Sequence, residues 1–179
     1  MGVADDLPRI YAVVFWVGLL LRSVVRMIDK AMAPLTSGEL DAMQYALYAG
    51  IVLFFAYFEG YKGFQKLSAP VFVRRAYELN ASSPWWHKVL APAFCMGLFH
   101  ATQNRLHRAW GLVVTVVFFI VMVSFFPEPY RGMVDGGVVV GLGWGAGALL
   151  VLYGRTVLSG EVPRVSPDIP KAEGDEGEV

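Results

Sequence analysis

The chain alternates between long apolar stretches and shorter polar connections. Two of these stretches, residues 109–127 and 136–154, each hold nineteen residues without a charge. About 20 apolar residues form a helix that crosses the roughly 30 Å hydrocarbon core of a bilayer. Because only a short polar connection around PEPYRGM separates the two stretches, the pattern predicts a helical hairpin that passes through a membrane.

Two further apolar stretches precede this hairpin. The first begins at Ile10 and keeps a helical pattern to about Met27, and the second holds seventeen uncharged residues from 42 to 58. The chain is therefore predicted to be an all-α polytopic membrane protein with a single helical transmembrane domain over residues 1–154. The predicted transmembrane helices cover about residues 8–27, 42–59, 109–127 and 135–154.

The stretch VLAPAFCMGLF lies between the second and third of these helices and decides the topology. It has eleven apolar residues and contains Pro92, so it is short for a transmembrane helix. Tandem Trp85 and Trp86 precede it, and tryptophan is enriched at the headgroup level. We therefore expect a short interfacial or re-entrant helix over residues 84–101. Five transmembrane helices are the alternative, because helices longer than their apolar core do occur.

The distribution of basic residues favours four transmembrane helices. With four helices and both termini in the cytoplasm, eleven of the fifteen Lys and Arg residues lie on the cytoplasmic side. With five helices the division is seven against eight, although cytoplasmic loops usually carry an excess of Lys and Arg. We therefore expect an integral protein of the bacterial inner membrane or an equivalent membrane, with both termini cytoplasmic.

The composition agrees with this location and separates the C-terminal end from the rest. Hydrophobic residues make up 56% of the chain and charged residues 17%, whereas soluble domains carry about 25% charged residues. Residues 155–179 contain three prolines and six acidic residues, a composition that does not form a core. They are predicted to be a disordered acidic tail. The single cysteine, Cys95, excludes an intrachain disulfide.

Three charged residues are candidates for an intramembrane polar site. Arg22 and Arg26 follow the apolar part of the first helix, and Asp135 opens the last helix on the same predicted side. An unpaired charge in hydrocarbon costs at least about 2.5–3.5 kcal/mol on insertion scales. We therefore expect Arg22 or Arg26 to pair with Asp135, with Arg131 as a rival partner. The alternative is that both arginines extend to the headgroups.

Few residues are candidates for catalysis. Glu59 and Lys62 lie in EGYKG at the predicted cytoplasmic end of the second helix, where Glu59 would act as a proton carrier or general base. His100 and His107 are seven residues apart, hence on one face of a helix. The alternative for all four is a solvated or interfacial polar role. Because no predicted transmembrane helix offers a facing histidine and HATQNRLHR is not a known metal spacing, we predict neither a cofactor nor a metal site.

Residues 60–109 are strongly basic. They contain seven Lys and Arg residues and a single acidic residue, Glu78. Aromatic residues are interleaved with the basic ones. Beside transmembrane helices, contact with anionic headgroups explains this pattern better than nucleic acid does, at about 1 kcal/mol per basic residue near the surface. The predicted headgroup contacts are Lys62, Lys66, Arg74, Arg75, Trp85, Trp86, Lys88, Arg105 and Arg108.

Glycine is unusually frequent in the last predicted helix. GGVVVGLGWGAGALL begins at Gly136 and contains six glycines. Its GxGxxG-like rhythm follows no strand, which excludes a dinucleotide-binding loop. In lipid, small residues at four-residue spacing let another helix approach closely. The predicted packing residues are Gly137, Gly141 and Gly145, with Gly143 and Gly147 as a second pair; their partner is either another helix of this chain or a second protein.

These features together predict a non-catalytic integral membrane protein, a helix-packing subunit or assembly factor of a membrane complex. Its expected partners are the lipid bilayer and either another membrane protein or a second copy, bound through the glycine-rich helix; nucleic acid is not a partner. Two alternatives stay open. One is a small-solute transporter or channel that uses Arg22, Arg26 and Asp135, and the other is a membrane enzyme that acts on a lipid or quinone at the cytoplasmic face.

Overall fold

A computed structural model describes residues 3–80 and 82–170 of the chain. Throughout these residues the regular structure is helical, with no strand. The elements in chain order are α1 (Val3–Ser37), α2 (Ala42–Phe55), a π-helical segment (Ala56–Ser68), α3 (Ala69–Glu78), α4 (Trp85–Val89), α5 (Ala91–Met96), α6 (Gln103–Ser124) and α7 (Tyr130–Ser159).

Four continuous helices in the described ranges are long and apolar enough to cross a membrane. They comprise Asp6–Ser37 of α1, the joined helix Ala42–Glu78, α6 and α7. The predicted all-helical chain with four such helices is therefore confirmed. The segment predicted as interfacial, residues 84–101, contains only α4 and α5, of five and six residues, and each is far shorter than a bilayer requires.

Two helices extend beyond their predicted ends. α1 ends at Ser37 rather than at 27, and α7 ends at Ser159 rather than at 154. At 1.5 Å per residue the 35 residues of α1 extend about 52 Å. Arg22 and Arg26 consequently lie in the interior of α1 rather than near its end.

The joined helix Ala42–Glu78 begins with a capping box and changes geometry in its middle. The Asp41 carboxylate accepts a hydrogen bond from the Gln44 amide at 2.7 Å, and the Gln44 side chain accepts one from the Asp41 amide at 3.0 Å. Over residues 56–68 the backbone adopts π-helical hydrogen bonding, a wider turn that is frequent at functional sites. The EGYKG sequence, predicted as a helix end, lies inside this segment.

The bundle is packed at one end and open at the other. Its hydrophobic core, which we call the packed end, forms where the beginning of α1, α3, α5 and the last turns of α7 meet. By contrast, α2 buries none of its residues, and α6 buries only Ala109 and Val123. We call the region of α2 and the second half of α6 the open end. The residues of the core are Ala12, Val13, Val17, Ala69, Phe72, Val73, Ala76, Leu79, Ala91, Phe94, Cys95 and Leu149.

The residues after α7 return to the packed end. Ile169 packs against the core, and the Asp168 carbonyl accepts a hydrogen bond from the Thr102 amide at 2.8 Å. This differs from the disorder predicted from residue 155 onward, because composition does not reveal a backbone segment that supplies acceptors to a distant site. Residues 171–179 of the predicted tail lie outside the described residues.

Candidate functional site

The first glycine series of α7 lies against the joined helix Ala42–Glu78. A Cβ atom at Gly137 would stand 2.6 Å from Phe55 Cδ2, and one at Gly145 would stand 2.6 Å from Phe64 Cγ. Real Cβ atoms do not approach heavy atoms this closely, so these positions have room only for glycine. For this series the close partner is therefore a helix of the same chain.

The second glycine pair has different surroundings. A Cβ atom at Gly143 or Gly147 would meet no heavy atom within 4 Å. The two glycines thus border open space in the isolated chain. A partner for this part of α7, unlike that for the first series, is not supplied by the described residues.

Two further glycines, which the sequence did not single out as packing residues, pack α7 on α1 and on the first part of the joined helix. Gly132 lies against Pro34 of α1, where a Cβ atom would stand 2.6 Å from Pro34 Cγ. Gly136 lies against the Tyr48 hydroxyl of α2, which donates a hydrogen bond to the Ala31 carbonyl at 2.9 Å. Their four-residue spacing is the signal that would have found them.

Glu59 lies deeper along α7 than its position in the sequence suggested. Its carboxylate packs against Gly141, where a Cβ atom would stand 2.7 Å from Glu59 Oε2. Gly141 is six residues, about 9 Å, past Asp135, hence well inside the uncharged run of α7 rather than at either end of it. The side chain is half-buried, and none of the ion pairs or hydrogen bonds found among the described residues involves it.

Glu59 and Lys62 do not pair. The Lys62 ammonium lies instead 5.1 Å from the ring centre of Tyr57 and 5.3 Å from that of Phe58. Residues three apart face each other on an α-helix, but the wider turn of the π-helical segment removes this alignment. Because of this change of helix geometry, the Glu59 carboxylate packs against α7 while the Lys62 ammonium lies near aromatic rings of its own segment.

The predicted polar pair is not formed in the described residues. Asp135 is buried, and neither ion pair found among the described residues involves it. Because Pro34 packs on Gly132 and the two helices are antiparallel, Arg26 and Arg22 lie level with about residues 140 and 144 of α7. Both arginines are exposed, and neither forms an ion pair within the described ranges.

Arg75 departs from the prediction that it contacts headgroups. Its side chain is fully buried at 0% exposure, and the guanidinium stacks 4.5 Å above the Phe94 ring. The donors reach carbonyls from three different segments. Nε donates to Phe94 O at 2.7 Å, Nη1 to Pro167 O at 2.6 Å, and Nη2 to His100 O at 3.1 Å and Phe99 O at 3.3 Å. Arg75 thus ties α3 to α5, to the turn before α6 and to the C-terminal segment.

The histidines are paired differently from the prediction. His87 and His100 approach each other, with ring centres 4.8 Å apart, whereas His107 is exposed on α6. His100 lies before the first residue of α6, so it shares no helical face with His107. Burial, followed by the charges of His100 and Arg75, lowers the pKa of His87. Its buried Nε2 atom makes no hydrogen bond to the described residues.

Neither the thiol of Cys95 nor the described His, Asp and Glu side chains form a reactive or metal-binding site. Burial raises the pKa of Cys95 to about 12, which keeps the thiol protonated and unreactive at neutral pH. No group of three or more His, Cys, Asp or Glu side chains within the described ranges is arranged to hold a metal ion.

The other predicted headgroup contacts are divided between exposed and engaged side chains. Arg74 forms an ion pair with Glu78 at 2.7 Å. Arg105 donates a hydrogen bond to the Met96 carbonyl at 3.4 Å. Lys88 is half-buried on α4. The exposed members are Lys62, Lys66, Trp85, Trp86 and Arg108.

Comparison of the chain with family models, with curated proteins and with solved structures gives no match.

Proposed function

We propose that the chain is an integral membrane protein that acts without catalysis, as a helix-packing subunit or assembly factor of a membrane complex. The observation that carries this proposal is the exposure of Arg22 and Arg26 on α1. With the uncharged run of α7 across the bilayer, both arginines lie at the level of hydrocarbon. Each would cost about 2.5–3.5 kcal/mol there without a partner.

The rest of α1 explains which face is left for a partner. Its buried face, which includes Ala12, Val17 and Ala31, packs inside the chain. Val14 and Val25, at 63% and 71% exposure, join the arginines among its exposed residues. A second membrane protein with an acidic residue at the matching depth would cover this surface and neutralise the arginines. The low burial of α2 and α6 leaves further helix surface for such an assembly.

The test is purification of the full chain in mild detergent, with the mass of the complex and its components determined. We expect a stable partner to accompany the wild-type chain and to be lost from the double variant Arg22→Glu, Arg26→Glu. Arg164→Glu is the control, since it makes one such charge reversal on an exposed residue of the C-terminal segment; the single variants Arg22→Glu and Arg26→Glu are its matched counterparts. A monomeric wild-type chain, or a partner retained by the double variant, would contradict the proposal.

A small-solute transporter is the second candidate, and Glu59 is the observation that favours it. A half-buried carboxylate at hydrocarbon depth is costly and marks ion or proton pathways in many membrane proteins. For this candidate we expect Glu59→Gln to abolish uptake into vesicles while the complex and the fold stay intact. Loss of the complex instead, with no transport in the wild type, would count for the assembly role alone.

A further inference from the structure

A surface groove runs between the π-helical segment with α3 on one side and α7 on the other. Its volume is about 570 Å³. Trp144 and Val151 form part of its apolar wall. Trp144 Nε1 donates a hydrogen bond to Gln65 Oε1 at 2.8 Å, which links α7 to the π-helical segment beside the groove. Gly147 also lines the groove, and the absence of any heavy atom within 4 Å of its Cβ position shows that the space above it is empty of protein.

The charges around this groove have one sign. Lys66 and Arg155 both line it, and none of its lining residues is acidic. Both are exposed and have long, flexible side chains. Lys66 lies 5.4 Å from the ring centre of Tyr61, and such an exposed contact exchanges readily for a stronger anionic partner. Because Lys66 and Arg155 line the same groove, their long side chains give both cationic ends access to a phosphate bound in it.

We propose that this groove binds one anionic phospholipid, with its phosphate held by Lys66 and Arg155 and an acyl chain lying over Gly147. The inference rests on the proposed membrane location and adds a specific ligand site to it. Apolar walls fit an acyl chain, whereas a free phosphate would use only the basic end. The absence of acidic lining residues favours an anionic over a zwitterionic headgroup.

The experiment uses the full chain reconstituted into vesicles of phosphatidylcholine and phosphatidylglycerol in equal amounts. The protein is then extracted in mild detergent, and the retained lipids are counted by native mass spectrometry. We expect retention of phosphatidylglycerol in preference to phosphatidylcholine. The double variant Lys66→Gln, Arg155→Gln should lower that preference about twenty-fivefold, because each basic residue near an anionic headgroup contributes about fivefold.

A steric variant separates the groove from the general basic surface. Gly147→Phe should fill the groove and abolish retention of both lipids without touching a charge. Gly111→Phe is the matched control, since Gly111 on α6 also has no heavy atom within 4 Å of its Cβ position and lies outside the groove. Wild-type retention by Gly147→Phe, or an unchanged preference in the double variant, would overturn the proposal, as would equal retention of both lipids by the wild-type chain.

The same preparations distinguish this proposal from the membrane location on which it rests. Failure of the wild-type chain to float with the vesicles would contradict the membrane location itself. Flotation without selective retention would contradict only the groove. Displacement of the lipid by inorganic phosphate would assign the basic end to a free anion and overturn the lipid assignment.

Discussion

The packed end and the open end of the bundle are held together by different kinds of contact. At the packed end, small apolar side chains and buried polar groups close around Arg75, which satisfies carbonyls from α5, the turn before α6 and the C-terminal segment. At the open end, α2 has no buried residue, and its contact with α7 depends on glycines and one tyrosine hydroxyl. A groove of about 410 Å³ lies there between α2 and α6.

The two ends therefore differ in what stabilises them. At the packed end the buried Arg75 makes four hydrogen bonds to three separate segments, and a buried polar network of this kind strongly specifies one arrangement. The open end has little burial of its own, since α2 buries no residue and α6 only two. Variants at the two ends should therefore differ in size and in kind of effect.

The largest effect is expected from Arg75→Met. The substitution keeps most of the side-chain length but removes every donor to four carbonyls, in one buried and three partly buried hydrogen bonds. Since hydrogen bonds from charged groups contribute about 1.5–3 kcal/mol each, we expect a loss of about 3 kcal/mol or more and release of the C-terminal segment. Thermal unfolding in detergent and limited proteolysis near Pro167 measure the two consequences.

Arg74→Met is the control for this variant. Arg74 is adjacent in sequence but forms only a partly exposed pair with Glu78, a kind of contact worth about 0.3–0.5 kcal/mol. Equal destabilisation by both substitutions would show that the buried network does not hold the packed end together.

An intermediate effect is expected where α7 meets the joined helix. Gly145→Leu would place a side chain into the Phe64 ring, and overpacking of this kind costs about 1–3 kcal/mol. Gly143→Leu changes the same helix two residues earlier, facing open space, and should be close to neutral. The measurement is the thermal midpoint of each variant in detergent. If Gly143→Leu were the more damaging of the two, an external partner on that face would be indicated instead of the internal contact.

A smaller effect is expected from Tyr48→Phe at the open end. The variant keeps the ring against Gly136 and removes only the hydrogen bond to the Ala31 carbonyl, worth about 1 kcal/mol. Hydrogen exchange at the ends of α1 and α2 should rise while the packed end stays protected. Tyr45→Phe, on an exposed side chain of the same helix, is the control. A loss of protection at the packed end would show that the two ends are coupled.

The sequence predicted the long helices well because hydrocarbon thickness sets their length. It also indicated the face formed by Gly137, Gly141 and Gly145, since four-residue spacing is a local property of a helix. It did not distinguish Arg75 from Arg74, because both are basic residues in one short run. What separates them is a set of backbone carbonyls from distant segments, and no local pattern encodes those positions.

Two other features were inaccessible for related reasons. The position of Glu59 along α7 depends on the register between the joined helix and α7 and on the π-helical turns that contain Glu59. Neither follows from counting apolar residues. The meeting of His87 with His100 depends on a chain reversal after α5. Its signal in the sequence was Gly97, whose left-handed backbone, with φ of 78°, ends that helix.

The smallest effect expected is a pH dependence at the packed end that arises from His87. Because burial and nearby positive charge lower its pKa in the folded chain, the unfolded chain binds more protons as the pH falls below the ordinary value of about 6.5. The stability contributed by neutral His87 is therefore present above that pH and is lost below it. We expect the thermal midpoint of the wild-type chain to fall on acidification and that of His87→Gln to fall less. His107→Gln, on an exposed residue of α6, should behave like the wild type; an equal flattening by both substitutions would assign the dependence to some other group and leave the packed end without a pH-sensitive contact.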